Sequence, residues 1–165
     1  ELLEGDRKAG LSYAHLTEDK PVLLIIGGSL GSVAVNTAVR KILPQLLNTF
    51  QVIHICGKGN LDESLIGTEG YVQYEYVDAP LKHLFAAADV VISRAGANSI
   101  CELLALRKPN LSDPAFCCCQ PRRPGIKCKI LQKAGLFICH RGGGAHKGFS
   151  LASAVKEVYG NRDKI

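Results

Sequence analysis

Two glycine-bearing loops hold the residues of this sequence that are best suited to binding a phosphorylated ligand. The first, Gly27-Gly28-Ser29-Leu30-Gly31-Ser32, follows an apolar run and precedes a helical pattern. Glycines let the backbone approach a ligand closely, and free N–H groups at a helix N-terminus favour an anion such as phosphate. Taken alone, the loop is explained equally well as a tight strand-to-helix turn. It has neither the G-x-G-x-x-G spacing of a dinucleotide site nor the lysine of a P-loop.

The second loop, Arg94-Ala95-Gly96-Ala97-Asn98-Ser99-Ile100-Cys101-Glu102, runs into the first turns of another helical pattern. A carboxylate one turn into that helix, at Glu102, can accept hydrogen bonds from both hydroxyls of a ribose. The structural explanation is a charge–dipole contact near the helix N-terminus, which contributes about 0.3–1 kcal/mol. Without the first loop, the structural explanation would be the better one.

The elements that must position these loops alternate between strand and helix. Apolar or alternating runs predict strands at Val22–Ile26, Gln51–Cys56, Tyr71–Val77 and Asp89–Ser93. Helical periodicity, or a proline at a helix start, predicts helices at Val33–Leu47, Pro80–Ala87, Gly96–Leu106 and Leu151–Tyr159. This order is typical of parallel βαβ units, so we expect an α/β fold: a Rossmann-like parallel sheet with helices on both faces. Ligands bind such sheets outside the carboxyl ends of the strands, where both loops would lie.

Composition limits the class of protein. The chain has 165 residues, of which 47% are hydrophobic and 21% charged, and this fits one globular domain rather than a disordered or coiled-coil chain. The longest glycine-free apolar run, Pro21–Ile26, is far shorter than the roughly 20 residues that cross a bilayer. The sequence shows no secretory leader, begins at Glu1 and contains no methionine, and we therefore expect a fragment.

Charge and cysteine are concentrated in one window, residues 112–150. The whole chain carries a net charge of +5, but this window alone holds seven basic residues against one acid, Asp113. It also holds five of the seven cysteines: Cys117, Cys118, Cys119, Cys128 and Cys139. No helical or strand periodicity continues past Asn110 until Leu151.

Two functional explanations of this window are weak. Zinc ligands are available at Cys117, Cys119, Cys128, Cys139 and His140, but no C-x₂-C pair occurs. A nucleic-acid patch could be formed by four basic residues, but no aromatic side chains are interleaved with them: Arg122, Arg123, Lys127 and Lys129. We therefore expect neither a metal nor a nucleic-acid partner. We also expect His54 in a strand and His83 on a helix surface, both without a functional role.

Together the two loops resemble the carboxyl-terminal domain of the MurG family. The matching features are Gly27-Gly-Ser-Leu-Gly-Ser, Asn36, Gly57-Lys-Gly, Arg94-x-Gly-Ala-x-Ser-x-x-Glu102 and the opening Glu1-Leu-Leu-Glu-Gly. The resemblance covers about residues 1–110. Members of that family transfer N-acetylglucosamine from UDP-GlcNAc to lipid I, giving lipid II for peptidoglycan synthesis in the bacterial cell wall. The resemblance implies one half of a GT-B glycosyltransferase, the half that binds the nucleotide sugar.

The resemblance also implies roles for individual residues. Ser29 would lie near the donor diphosphate, with Gly27, Gly28, Gly31 and Gly96 as the phosphate-loop glycines. Val77 would lie beside uracil. The ribose and diphosphate would be wrapped by the segment after the second loop's glycine: Ala97, Asn98, Ser99, Ile100, Cys101 and Glu102. The family's acceptor half, with its proposed catalytic base, is not in this sequence, so no residue is assigned as catalytic and the fragment is expected to be inactive alone.

Further expectations follow from the same resemblance. The family uses no metal or cofactor; its partners are UDP-GlcNAc and, through the missing amino-terminal domain, lipid I. It works at the cytoplasmic face of the bacterial membrane as a peripheral protein. We expect one nucleotide-sugar-binding domain over residues 1–165, comprising a lead-in at 1–20, a family-like part at 21–110, an aberrant part at 112–150 and a family-like helix at 151–165.

The two loops also suit a second function, and the sequence disfavours a third. A eukaryotic two-chain GlcNAc transferase carries its donor-binding half as a separate polypeptide of similar length, and the two loops suit that subunit as well. The Glu1-Leu-Leu-Glu-Gly opening favours the bacterial enzyme. A nicotinamide-dependent oxidoreductase is disfavoured because the fingerprint is missing and the second strand ends in Cys56-Gly57 rather than an acid.

A frame shift would explain the aberrant window. The family continues there with a loop like Ser-Arg-Gly-Asp-Gln-x-x-Asn-Ala, whose glutamine contacts the donor. Gln120–Gly125 can be encoded by codons that, read one base later, give Ser-Arg-Gly-Asp-Gln, and Gly125–Lys129 by codons that give Gly-Leu-Asn-Ala after the same shift. Codons for His140–His146 shift in the same way to an acidic stretch, Ile-Glu-Glu-Glu-Glu-His. We hypothesise that roughly Ser112–Ser150 is translated out of frame, which turns glutamate codons into glycine and arginine codons.

Resequencing the encoding DNA across codons 108–152 tests this hypothesis. We expect a one-base insertion or deletion near codon 112 and a compensating change near codon 150. A confirmed reading of the sequence as given would refute it, and the donor site would then lack one wall, with Pro124 and Gly125 at the position of the family's glutamine.

Overall fold

Short strands and helices alternate to build one parallel sheet. The computed structural model describes residues 4–27, 33–93, 106, 108–112, 137–139 and 151–160. The strands are β1 Val22–Ile26, β2 Gln51–Ile55, β3 Tyr71–Tyr74, β4 Val90–Ser93, β5 Asn110–Ser112 and β6 Phe137–Cys139. The helices are α1 Arg7–Tyr13, α2 Val33–Leu47, α3 Leu81–Ala87 and α4 Leu151–Gly160, with a 3-10 turn at Glu63–Leu65.

The strand order, β3-β2-β1-β4-β5-β6, places β1 in the middle of the sheet. Each described pairing is parallel, as predicted. After β1 the chain adds β2 and β3 on one side, then returns to add β4 on the other. The last residue of β1, Ile26, thus pairs with Ile55 of β2 and with Ser93 of β4. Such a reversal of strand order opens a crevice at the carboxyl ends of the two central strands.

Helices cover both faces of the sheet, which confirms the predicted architecture. On one face, side chains of α2 and α4 such as Val39 and Val155 form a core with Leu23 and Ile25 of β1. On the other face, α1 and α3 form a second core with the alternate residues of the same strand, among them Leu24. Because successive strand side chains point to opposite faces, an apolar run such as β1 serves both cores.

The first helix, α1, was not predicted, although its N-cap is visible in the sequence. Asp6 has extended backbone angles, and its carboxylate accepts from the Ala9 N–H at 2.7 Å. The Arg7 guanidinium donates to both carboxylate oxygens of Asp89, at 3.2 and 3.1 Å, and to the Ala87 carbonyl at 2.7 Å. These bonds hold α1 at the amino-terminal edge of the sheet, opposite the crevice.

Two predicted elements differ from the structure or lie outside it, and two strands were not predicted. Strand β3 ends at Tyr74 rather than Val77, because its neighbour β2 ends at Ile55 and leaves the later residues without a pairing partner. Two short strands, β5 and β6, lie where periodicity predicted no structure. The helix predicted at Gly96–Leu106 lies outside the described residues, apart from Leu106 itself.

Helix α1 approaches α3 so closely that two glycines are required. A Cβ atom built on Gly5 would lie 2.1 Å from the Lys82 carbonyl oxygen, and one on Gly10 would lie 2.1 Å from the His83 carbonyl oxygen. Both obstacles are backbone atoms, so a side chain at either position would force the helices apart. The lead-in segment is therefore packed as an integral part of the domain.

We expect Gly10→Ala to lower the free energy of unfolding by about 1–3 kcal/mol, because the new methyl group overpacks a backbone contact. Gly160→Ala is the matched control, since a Cβ at Gly160, also in a helix, meets nothing within 4 Å. Urea denaturation of both variants checks this. A Gly10→Ala protein as stable as the control would contradict the close packing.

Candidate functional site

The crevice lies where β1 and β4 end side by side. Gly27 directly follows β1 and is buried, and its N–H donates to the Ile55 carbonyl of β2 at 3.3 Å. Ser93 is the last residue of β4 and pairs with Ile26. The two predicted ligand loops therefore leave the sheet from adjacent strands. The Ser93 hydroxyl is buried and has no hydrogen-bond partner. Among the described residues, only one other buried side-chain nitrogen or oxygen atom has none, Arg40 Nε.

Of the predicted site residues, the structure describes two. Gly27 lies at the crevice as predicted. Val77, three residues after β3, is only 5% exposed and belongs to the core between the sheet and α1 and α3. The other predicted residues lie outside the described part of the chain: Gly28, Ser29, Gly31, Gly96, Ala97, Asn98, Ser99, Ile100, Cys101 and Glu102.

Helix α2 directs its amino-terminal end toward this crevice. The helix begins at Val33, immediately after the first loop, and runs for 15 residues. No acidic residue occupies its first turn, so the helix itself carries no carboxylate that would neutralise the positive end of its dipole. Val33 is 72% exposed, which leaves the start of the helix accessible. These features favour an anion at this position.

A chain of four polar groups links the sheet to α2 just below the crevice. His54 of β2 is fully buried; its Nδ1 lies 2.9 Å from the Tyr71 hydroxyl and its Nε2 lies 2.9 Å from Asn36 Oδ1. Asn36 Nδ2 donates to the Cys56 carbonyl at 3.0 Å. We call Tyr71, His54, Asn36 and the Cys56 carbonyl the polar relay.

Donor and acceptor roles in the polar relay follow from its last bond. A carbonyl can only accept, so Asn36 must direct its NH₂ at Cys56 and its Oδ1 at His54. His54 must then carry its proton on Nε2, which leaves Nδ1 as the acceptor for the Tyr71 hydroxyl. Each hydrogen bond of the relay fixes the next, and the chain holds one tautomer of a neutral histidine.

Burial keeps the titratable members of the polar relay neutral. Burial, and secondarily the Arg40 guanidinium, lowers the pKa of His54 to about 4. Burial also raises the pKa of Tyr71 to about 12. At neutral pH the histidine is therefore an uncharged imidazole and the phenol keeps the proton that it donates.

A second set of contacts fixes the turn that follows β2. Gly57 and Gly59 have φ values of 88° and 72°, a region that favours glycine. Arg40 of α2 donates to the Asn60 carbonyl and, at 3.0 Å, to Gln73 Oε1. The backbone N–H of Gly59 donates to the Glu75 carboxylate at 2.6 Å. Lys58 is left exposed at the tip of a turn that is held from both sides.

Three other chemistries find little support among the described residues near the crevice. Burial raises the pKa of the Cys56 thiol, so it is a protonated thiol rather than a nucleophile at neutral pH. Within the described residues, no three His, Cys, Asp or Glu side chains are grouped so as to hold a metal ion. Strand β2 ends without the carboxylate that a dinucleotide site places there.

The family of the chain follows from a match over more than half of its length. Residues 22–112 match the model of the glycosyltransferase family 28 C-terminal domain. The chain belongs to this family. The match begins with β1 and ends with β5, and so includes both crevice loops. Its end at residue 112 coincides with the start of the basic, cysteine-rich window.

Curated relatives carry one name. Proteins called UDP-N-acetylglucosamine--N-acetylmuramyl-(pentapeptide) pyrophosphoryl-undecaprenol N-acetylglucosamine transferase are similar to this chain in several bacteria. The protein of Lachnospira eligens is 60% identical over 114 residues, which is 69% of this chain and 32% of that relative. The protein of Clostridium perfringens strain SM101 is 46% identical over 164 residues, 99% of this chain and 46% of that relative. The chain thus spans less than half the length of these relatives.

Solved structures show the same fold. MurG of Acinetobacter baumannii matches 98% of this chain and 47% of its own, with a TM-score of 0.66 at 18% identity. The calicheamicin glycosyltransferase CalG4 matches 90% of this chain and 38% of its own, with a TM-score of 0.59 at 19% identity. Both likenesses confirm a GT-B-type Rossmann-like half, as the sequence predicted.

The buried histidine makes stability depend on pH. Between pH 7.5 and 5 the unfolded chain takes up a proton at His54, whose ordinary pKa is 6.5, whereas the folded chain, with a pKa of about 4, does not. We therefore expect the free energy of unfolding to fall by about 2 kcal/mol over this range from His54 alone. Urea denaturation at the two pH values measures it.

The control compares two histidine variants. His54→Gln removes the titrating group and should remove most of this pH dependence, whereas His15→Asn, at an exposed position with a φ of 53°, should leave it unchanged. Equal pH dependence in the wild type and His54→Gln would show that the histidine is not buried as a neutral group.

Proposed function

We propose that this chain binds UDP-GlcNAc and is the donor half of a GlcNAc transferase that converts lipid I to lipid II. The observation that carries the proposal is the pairing of β1 with β4, which brings the starts of both predicted loops to one crevice. The names of the relatives supply the donor and the acceptor, and the family match supplies the glycosyltransferase class.

The donor would lie across the two loops. Its diphosphate would meet Ser29, the loop glycines and the positive end of α2, whose first turn contains no acidic residue. Its ribose hydroxyls would donate to Glu102, and the residues from Ala97 to Cys101 would complete the enclosure. Val77 would contribute to the uracil end of the site, and its position in the core supports a fixed rather than an adaptable wall.

The proposed reaction transfers the sugar with inversion. The acceptor hydroxyl oxygen attacks the anomeric carbon of GlcNAc, and the bond from that carbon to the diphosphate oxygen breaks. The electron pair leaves with UDP, and the hydroxyl proton passes to a base outside this chain. Backbone N–H groups at the start of α2 would stabilise the growing negative charge on UDP without moving, which is electrostatic preorganisation.

The acceptor determines where the enzyme would work. Lipid I resides in a membrane, so we propose that the complete enzyme contacts the cytoplasmic face of the bacterial membrane peripherally. Among the described residues, the structure contains no helix with the length and apolar character needed to span a bilayer.

Titration of the ¹⁵N-labelled chain with UDP tests the donor site. We expect saturable shifts with UDP and UDP-GlcNAc and none with NAD. Glu102→Gln should weaken UDP binding about tenfold or more, because charge-assisted hydrogen bonds to the ribose are lost. Glu63→Gln, at an exposed carboxylate in the 3-10 turn, is the control and should bind as the wild type does.

A second ligand separates the proposed ribose contact from a general effect. With 2′-deoxy-UDP the wild type should lose affinity, whereas Glu102→Gln should lose little more, since the contact is already gone. Absence of saturable UDP binding, or equal effects of the two glutamate variants, would contradict the proposal.

A further inference from the structure

We propose that His54 is a positioning residue for the donor site. It acts through Asn36 and the Cys56 carbonyl, which hold the first turns of α2 against the end of β2. The inference rests on the proposed function, and it assigns a role to a side chain that the sequence predicted to have none.

The polar relay reaches the crevice through Asn36 of α2 and through the Cys56 carbonyl, which directly follows β2. Asn36 lies three residues after Val33, the start of the helix whose N–H groups would face the diphosphate. The Cys56 carbonyl immediately precedes the Gly57 turn. Beside it, the Gly27 N–H donates to the Ile55 carbonyl, so the consecutive carbonyls of Ile55 and Cys56 hold Gly27 and α2.

Only a group with the polarity of His54 completes this arrangement. Its Nε2–H must donate to Asn36 Oδ1 and its Nδ1 must accept from the Tyr71 hydroxyl. An apolar residue at position 54 would leave Asn36 Oδ1 without a donor and the Tyr71 hydroxyl proton without its acceptor. Asn36 would then be free to turn away from Cys56, and the start of α2 would lose its fixed distance from the end of β2.

Three variants distinguish positioning from a purely structural role. His54→Leu removes both relay bonds, whereas His54→Gln keeps an N–H that can donate to Asn36. The matched control is Gln51→Leu, in the same strand at the opposite edge of the sheet. Buried Gln51 also makes a polar network, with the backbone of Thr17 and Lys20 at 2.7 to 3.0 Å, but this network lies away from the crevice.

Each variant is measured for UDP affinity, for stability and for amide hydrogen exchange at residues 56–59. We expect His54→Leu to weaken UDP binding about fivefold, the effect of one net hydrogen bond, and to speed exchange at these amides. His54→Gln should restore affinity to within about twofold, and Gln51→Leu should lower stability without changing affinity. Long-range ¹⁵N–¹H correlation should show the Nε2–H tautomer in the wild type.

The outcomes separate this inference from the proposed function. Equal UDP affinities in His54→Leu and Gln51→Leu, or the Nδ1–H tautomer in the wild type, would overturn the positioning role. A wild-type chain that fails to bind UDP would overturn the proposed function instead, and hydrogen exchange at residues 56–59 would then decide the relay alone. If His54→Leu does not fold, Tyr71→Phe removes one relay bond and should move both readouts in the same direction by less.

Discussion

The parallel pairing of β1 with both β2 and β4 is the constraint on which the candidate site depends. A central strand must be apolar on both faces, and the run Val22–Ile26 satisfies this by giving alternate side chains to two separate cores. Once β1 is fixed between its neighbours, the residues that follow it and those that follow β4 leave the sheet at the same place. The crevice therefore results from the strand order, and the two loops begin beside each other although they are far apart in the sequence.

Among the described residues, the groups next to this crevice are neutral dipoles. The described groups beneath it are an uncharged imidazole, a protonated phenol, a protonated thiol and backbone amides, and the start of α2 carries no compensating acid. A fixed array of dipoles stabilises developing negative charge without having to reorganise during the reaction. The cation nearest to these groups, Arg40, is engaged with the turn after β2 and is not directed into the crevice by its described contacts.

Periodicity in the sequence was sufficient to predict β1, β2, β4 and helices α2, α3 and α4, because each has a continuous or regularly spaced apolar face. It failed where tertiary contacts decide: α1 has seven residues with a glycine inside, and it is held by Asp6, by Arg7 and by its approach to α3. It also failed for strands of three residues, which are too short to show a period. His54 was placed correctly in a strand, but its role depends on partners 18 residues before it and 17 after it. No spacing rule links such positions; only the assembled sheet brings Asn36, His54 and Tyr71 together.

The fixed direction of the hydrogen bonds in the polar relay also restricts which substitutions this sequence can accept. Every bond in it runs one way, from the phenol through the imidazole and the amide to a backbone carbonyl, and the final acceptor cannot mutate because it belongs to the main chain. Replacing one of these side chains by one that lacks the required donor or acceptor would therefore leave its neighbours in the core without a hydrogen bond. We therefore expect positions 36, 54 and 71 to change only together, because a substitution at one of them requires compensation at the others.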